Sequence, residues 1–252
     1  MNKVSFEKIY LSPPHLNGNE KKYILNAIES NWIAPLGPHV DTFEKEISNY
    51  IGKKYAAALS SGSAALHLAL KILKVKKNDF VFCSDLTFVA SANVIKYVGA
   101  EPIFIDSEFK SWNMCPEALE KAFSRYIPKA VIITDIYGQS ANYNKLLEIC
   151  NKYNVPIVED AAESLGAEYK KKKCGSFGVL SILSFNGNKI ITTSGGGMLL
   201  SNNKEYIEEA KKLASQSRED FIYYEHKNSG YNYRMSNLLA AFGRAQFKSL
   251  DE

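Results

Sequence analysis

Paired cysteines are missing from this chain. Its four, Cys83, Cys115, Cys150 and Cys174, stand far apart with no CxxC spacing. That argues against a metal site and a disulfide framework, and it favours a reducing compartment. Long apolar runs are missing too. Nothing approaches the roughly 18 apolar residues that a membrane-spanning helix needs. The opening MNKVSFEKIYLSPPH has no apolar leader core, so the expectation is a cytoplasmic protein without a membrane partner. No charge of one sign dominates: 31 Lys and Arg face 27 Asp and Glu, a formal net charge of +4. The one basic run, Lys170 to Lys173, reads as a solvated turn, and no nucleic-acid partner is expected. Internal repeats, low-complexity segments and Pro/Gly-rich linkers are absent. What is present is 252 residues, 46% of them hydrophobic, which is enough for a sizeable core.

Short apolar runs alternate with longer amphipathic ones. Strands are predicted over 55–59, 80–84, 102–106, 130–134, 156–159, 180–184 and 197–201, several rich in β-branched or aromatic residues. Helical spacing fits 20–31, 41–51, 64–73, 88–98, 116–123, 143–153 and 204–216, with Pro116 suited to a first helical position. This alternation predicts an α/β fold with a mostly parallel sheet. Such sheets bind ligands at the carboxyl ends of their strands. Those ends read SSGSAA, DLTF, DIYG, EDAAES and SFNGNK.

Each end has a plain reading and a chemical one. Around Ser63 and Ala64, a strand-to-helix turn of small residues could be a simple cap, or it could receive a phosphate on its free N–H groups. It is not a P-loop, since the GxxxxGK[ST] spacing is missing. Asp160, after an apolar strand, could cap the next helix or hold a protonated heterocyclic nitrogen. Pyridoxal phosphate needs that second arrangement, because its protonated ring is the electron sink. Phe88 could be a core aromatic or stack on a flat ring. Lys189 could be a solvated loop lysine or a partly desolvated amine able to form a Schiff base. Ser184 could share a phosphate with Ser63. The glycines Gly195, Gly196 and Gly197 permit a close approach to the next strand. Taken together at one sheet edge, these groups make a pyridoxal 5'-phosphate site.

The segments NWIAPLGPHVDTFEKEI, SSGSAALHLAL, DLTFVASANVI, VEDAAESLGA, SFNGNKIITTSGGGM and SGYNYRMSNLLAAFGRAQ resemble those of the DegT/StrS-type nucleotide-sugar aminotransferases, in that family's order and over nearly the whole chain. The resemblance implies the aspartate aminotransferase fold, a three-layer α/β/α domain around a mostly parallel seven-stranded sheet. It implies that Lys189 carries the cofactor and then moves protons, that Asp160 pairs with the ring nitrogen, and that Phe88 stacks on the ring. Ser63, the backbone at Ala64, and Ser184 would hold the phosphate. Glu163 stands where many relatives have a glutamine near the ring hydroxyl. Asn232 would reach the phosphate of a neighbouring subunit in a homodimer. IYLSPPH and SFNGNKIITTSGGG most resemble enzymes that move an amino group from L-glutamate to a UDP-linked 4-keto-6-deoxy sugar for surface glycans. SPPH and NWIAPLG are expected to line the sugar site, with Trp32 either against substrate or in the core.

A related branch with histidine at the position of Lys189 dehydrates sugars instead. Family members usually continue for a further hundred residues or more as a smaller C-terminal domain. This sequence stops at Glu252, in what reads as a helix, so residues 1–252 are expected to be the large domain without the small one. Three other readings stand beside the aminotransferase. One is a catalytically inactive remnant or half of a split enzyme. Another is a pyridoxal-phosphate lyase or sugar dehydratase. The third is a dinucleotide-binding domain, against which SGGGM leads into a strand instead of opening a helix. Asp135 stands where relatives commonly carry histidine and has no expected role.

Overall fold

Seven strands bond into one sheet in the computed structural model, which describes residues 8–252. Residues 1–7, the start of the stretch read above as lacking a leader core, lie outside the described residues. In chain order the elements are α1 (Glu20–Glu29), α2 (Pro38–Ile51), β1 (Tyr55–Leu59), α3 (Gly62–Ile72), β2 (Phe80–Ser84), α4 (Ala90–Tyr97), β3 (Glu101–Ile105), α5 (Pro116–Phe123), β4 (Ala130–Thr134), α6 (Tyr143–Lys152), β5 (Ile157–Asp160), β6 (Glu168–Tyr169), β7 (Lys172–Lys173), β8 (Leu180–Ser184), β9 (Gly197–Ser201), α7 (Lys204–Ala214) and α8 (Asn237–Phe247). The sheet order is β1-β9-β8-β5-β4-β2-β3. Every pairing is parallel except those of β9, which runs against both β1 and β8.

Strand alternation sets the layers. Ala57, Leu59, Val81, Cys83 and Ile132 share a core with residues of α3, α4 and α7. Their neighbours Ala56 and Ala58 pack with α2 and α8, while Phe82, Val131 and Ile133 pack with α5 and α6. A period of two sends successive side chains to opposite faces. Helices on both faces bury the sheet, which is why β4 reads AVIIT without a polar break. The result is the three-layer α/β/α architecture expected from the sequence.

Several boundaries differ from the sequence reading, each for a local reason. Helix α2 starts at Pro38, not 41, because proline suits the first helical position and Gly37 supplies the turn at φ 140°. Helix α1 ends at Glu29, ahead of Asn31 in the left-handed region at φ 57°. Helix α3 starts at Gly62, since Ser61 and not Ser63 is its cap. Helix α4 starts at Ala90, leaving Phe88 in the loop before it. Strand β5 extends to Asp160, so the carboxylate stands on a hydrogen-bonded strand residue. Helix α8 ends at Phe247 instead of running to Glu252. Beyond it, Lys248, Ser249 and Leu250 bond to carbonyls three residues back, a tighter winding than an α-helix. Of the lysine run read as a turn, Lys170 and Lys171 form the turn of the β6–β7 hairpin, both at positive φ and exposed, while Lys172 and Lys173 are strand β7.

Candidate active site

The acidic pair at the end of β5 is split by the pleat. Glu159 points to one face and accepts from the N–H groups of Gly175 (2.5 Å), Phe177 (2.7 Å) and Gly178 (3.0 Å) and from the Ser181 hydroxyl (2.9 Å). Protein donors occupy that carboxylate fully. Asp160 points the other way, into a cavity, and is 4% exposed. Its Oδ2 accepts from Ser91 Oγ at 2.6 Å, while Oδ1 has only a long contact, 3.3 Å, from the Ala162 N–H. Burial raises Asp160 above the ordinary carboxylate range, and the Ser91 hydroxyl, the Ala162 N–H and the Lys189 charge oppose that rise. A cationic N–H donor in the cavity would favour the anion further. Ser91 also meets Thr87, whose hydroxyl lies 2.8 Å from that of Thr134 at the end of β4. The sequence reading missed Ser91. Its place one helical turn past Phe88 was the only clue.

The cavity holds about 430 Å³, within the range of small-molecule sites. Ser63, Phe88, Asp160, Glu163, Ser184 and Lys189 all line it. A larger groove of about 800 Å³ lies at the other end of the same strands, beside Tyr55 and Ser201. That groove holds lysines and asparagines but no buried carboxylate.

The Ser60–Ser63 turn and Ser184 meet at one end of the cavity. Ser61 Oγ accepts the Ala64 N–H at 3.0 Å, so Ala64, expected to serve a phosphate, gives its N–H to the cap. Among the described residues no protein acceptor meets the N–H groups of Gly62 or Ser63, and a helix N-terminus favours an anion there. A Cβ on Gly62 would lie 3.1 Å from Ser184 Cβ, and one on Gly197 only 2.5 Å from the Gly62 nitrogen. Both positions need glycine for the strands and the turn to close together.

Lys189 follows β8 in a turn, its N–H donating to the Asn186 carbonyl at 3.0 Å. Its side chain is 11% exposed. Nζ donates to Glu163 Oε1 at 3.3 Å and lies 5.9 Å from the Phe88 ring centre. Phe88 is 63% exposed and therefore not a core residue. Trp32 is 43% exposed and does not line the cavity. Asn232 is exposed, pairs with Ser215 in an isolated bridge, and lies outside the cavity. From the N-terminal segment, Ser12 Oγ donates to the Asn188 carbonyl at 3.0 Å, which brings SPPH against the lysine turn.

Asp135, one residue past β4, is fully buried and does not line the cavity. It accepts from the Ala141 N–H (2.9 Å), the Tyr143 hydroxyl (2.9 Å) and Ser164 Oγ (3.0 Å). Burial, with the Glu159 charge nearby, pushes it up to about 7. Between the ordinary carboxylate range and about 7, the folded chain therefore holds a proton that the unfolded chain has lost. The contribution of Asp135 to stability falls as pH rises through that window. Asp135→Asn keeps the oxygen that receives Ala141 and Tyr143 and removes the charge. It should melt about 2–6 °C above the parent near pH 8 and converge with it near about pH 5. Equal destabilisation at both pH values would show that the second oxygen matters more than the charge.

The cavity suits one prosthetic group. A phosphate matches the free N–H groups of Gly62 and Ser63 beside two serines, a ring nitrogen matches Oδ1 of Asp160, and an aldehyde matches the enclosed amine. This is the cofactor-binding architecture of the pyridoxal phosphate-dependent aminotransferases. A model of the DegT/DnrJ/EryC1/StrS aminotransferase family matches residues 14–252, and the chain belongs to that family. It is 56% identical over 251 residues to EpsN of Bacillus subtilis (strain 168), a protein assigned to the pyridoxal phosphate-dependent aminotransferases, covering 98% of this chain and 65% of EpsN. It is 38% identical over 245 residues to the GDP-perosamine synthase of Caulobacter vibrioides, covering 97% of this chain and 66% of that protein. The chain thus spans just under two thirds of these relatives. Among solved structures, Spr1654 of Streptococcus pneumoniae, assigned as a sugar aminotransferase and solved in its PLP form, superposes with a TM-score of 0.90 at 26% identity, over 97% of this chain and 67% of the other.

Proposed function

We propose that this chain is the cofactor-binding part of an aminotransferase that moves an amino group from L-glutamate to a nucleotide-linked 4-keto-6-deoxy sugar, giving a 4-amino sugar for surface glycans. One observation carries the reading: an enclosed amine, Lys189, shares a cavity with a buried carboxylate, Asp160, and with a glycine-serine turn whose N–H groups are free. Bound pyridoxal phosphate supplies an electron sink for the carbanion that forms during amino transfer. The chain's own groups do the rest. Asp160 keeps the ring nitrogen protonated, and Ser91 holds Asp160 in place. Gly62, Ser63 and Ser184 bind the phosphate, and the exposed face of Phe88 covers the ring. Lys189 would anchor the cofactor and then carry the proton between the cofactor and substrate carbons. Lysine at 189 favours transamination over the sugar dehydration of the histidine-bearing branch.

A uridine diphosphate on the sugar follows from IYLSPPH and the SFNGNKIITTSGGG form. The perosamine synthase makes guanosine the competing choice. The exposed Asn232 belongs, in this reading, to the site of a second copy in a homodimer. The experiment is direct. The 252-residue chain is mixed with pyridoxal phosphate, its visible band recorded, the adduct fixed with borohydride and the peptide mapped. A specific adduct at Lys189 supports the reading, and glutamate with UDP- and GDP-linked 4-keto sugars then separates the nucleotides. An adduct spread over surface lysines, in this chain and in one extended by a family C-terminal domain, overturns it.

A further inference from the structure

The Lys189 amine is not idle in its cavity. Its one charged partner among the described residues is Glu163, and that partner is itself held. Glu163 Oε2 accepts the Tyr137 N–H at 2.7 Å, which leaves Oε1 turned to the lysine. The donor loop is shaped for this contact. Tyr137 sits in the left-handed region at φ 52°, where a non-glycine residue is strained, and Gly138 follows at φ 83°. A Cβ on Gly138 would lie 3.1 Å from the Glu163 carbonyl oxygen. Asp160, the other acid facing the pair, is engaged by Ser91. The two carboxylates therefore divide the cavity, Asp160 at the end of β5 and Glu163 at the amine.

We propose that Glu163 is the resting partner of the Lys189 ammonium and sets the balance between cofactor-joined and released lysine. This rests on the function proposed above. Joining the lysine to the cofactor aldehyde forms a carbon–nitrogen double bond, and the aldehyde oxygen leaves as water. The ammonium must first give one proton to solvent, and its contact with Glu163 is lost. The 3.3 Å contact holds the ammonium in a site that leaves the Lys189 side chain 11% exposed. Glu163 thus competes with the aldehyde for Lys189. In an aminotransferase the lysine must leave the cofactor whenever an amino donor arrives.

Glu163→Gln tests this with readouts that need no turnover. The joined fraction is measured from the visible band at increasing pyridoxal phosphate, between about pH 6.5 and pH 10, and borohydride mapping confirms Lys189 as the site. Binding of 4-deoxypyridoxine phosphate, which has no aldehyde, reports the non-covalent pocket. The expected result is that the variant joins the cofactor about tenfold more tightly near pH 7. That gain in joining should exceed any change in binding of the aldehyde-free analogue, which reports the ring and phosphate contacts alone. Glu163→Asp, one methylene shorter, should fall between the two. Equal joining by parent and Glu163→Gln at every pH overturns the inference and leaves the proposed function standing, as does an equal loss of analogue binding and joining. Absence of a Lys189 adduct in the parent overturns both.

Discussion

Lys189→Ala will leave the chain unable to hold pyridoxal phosphate covalently, and it will melt close to the parent. The side chain contributes one ion pair at 3.3 Å with Glu163 and little packing. Glu163 keeps the Tyr137 N–H and is 21% exposed, so the loss of that pair should cost about 1–2 kcal/mol, above the exposed case and below the fully buried one. The chemical effect is far larger. The same amine anchors the cofactor and moves the proton, and a positioned proton-transfer group alone contributes about 10²–10⁴-fold. In a chain extended to full family length, transamination should fall by at least that factor. Phosphate and ring contacts should persist, so the variant should still bind the cofactor reversibly. A borohydride-stable lysine adduct at another position in the variant would show that the amine has been misassigned.

Asp160→Asn will separate binding from chemistry. The side chain keeps its shape, and the Ser91 hydroxyl can turn from donor to acceptor towards the amide. Burial already presses Asp160 towards its neutral form, so removing the charge should leave stability equal or slightly higher. The cofactor should still enter and join Lys189. The ring nitrogen, however, would face a neutral amide and lose its hold on a proton. The half-reaction with glutamate should slow by about 10²–10³-fold, the usual scale for removing one fixed electrostatic partner of a transition state. Stopped-flow conversion in a full-length protein measures this. Unchanged rates would remove Asp160 from the chemistry and leave it a structural acid like Glu159.

The strand positions were legible because a sheet buried on both faces must be written in apolar runs, and β4 reads that way. The strand-end rule then pointed to SSGS, EDAAES and SFNGNK before any family likeness was used. Finer assignments were less readable. Ser61 and Ser63 are equally good caps on paper, and the helix begins where Ser61 Oγ reaches the Ala64 N–H. The motif made Phe88 the start of a helix, but the chain turns once more before α4 begins. Ser91 carried no signal of its own, because serine in a helix is common.

By itself the sequence determined the layered α/β class, the edge of the sheet where chemistry gathers, and the residue types available there. Periodicity and turn chemistry are local properties, written within a few residues of one another. Only the tertiary structure decided which partner each of those residues meets. Glu159 and Asp160 are adjacent and alike, yet the pleat gives one to backbone N–H groups and the other to the cavity. Glu163 and Lys189 lie 3.3 Å apart because parallel pairing of β5 with β8 brings the loops that follow them to the same edge. Such contacts depend on strand order and register, and those are set by the packing of the whole core.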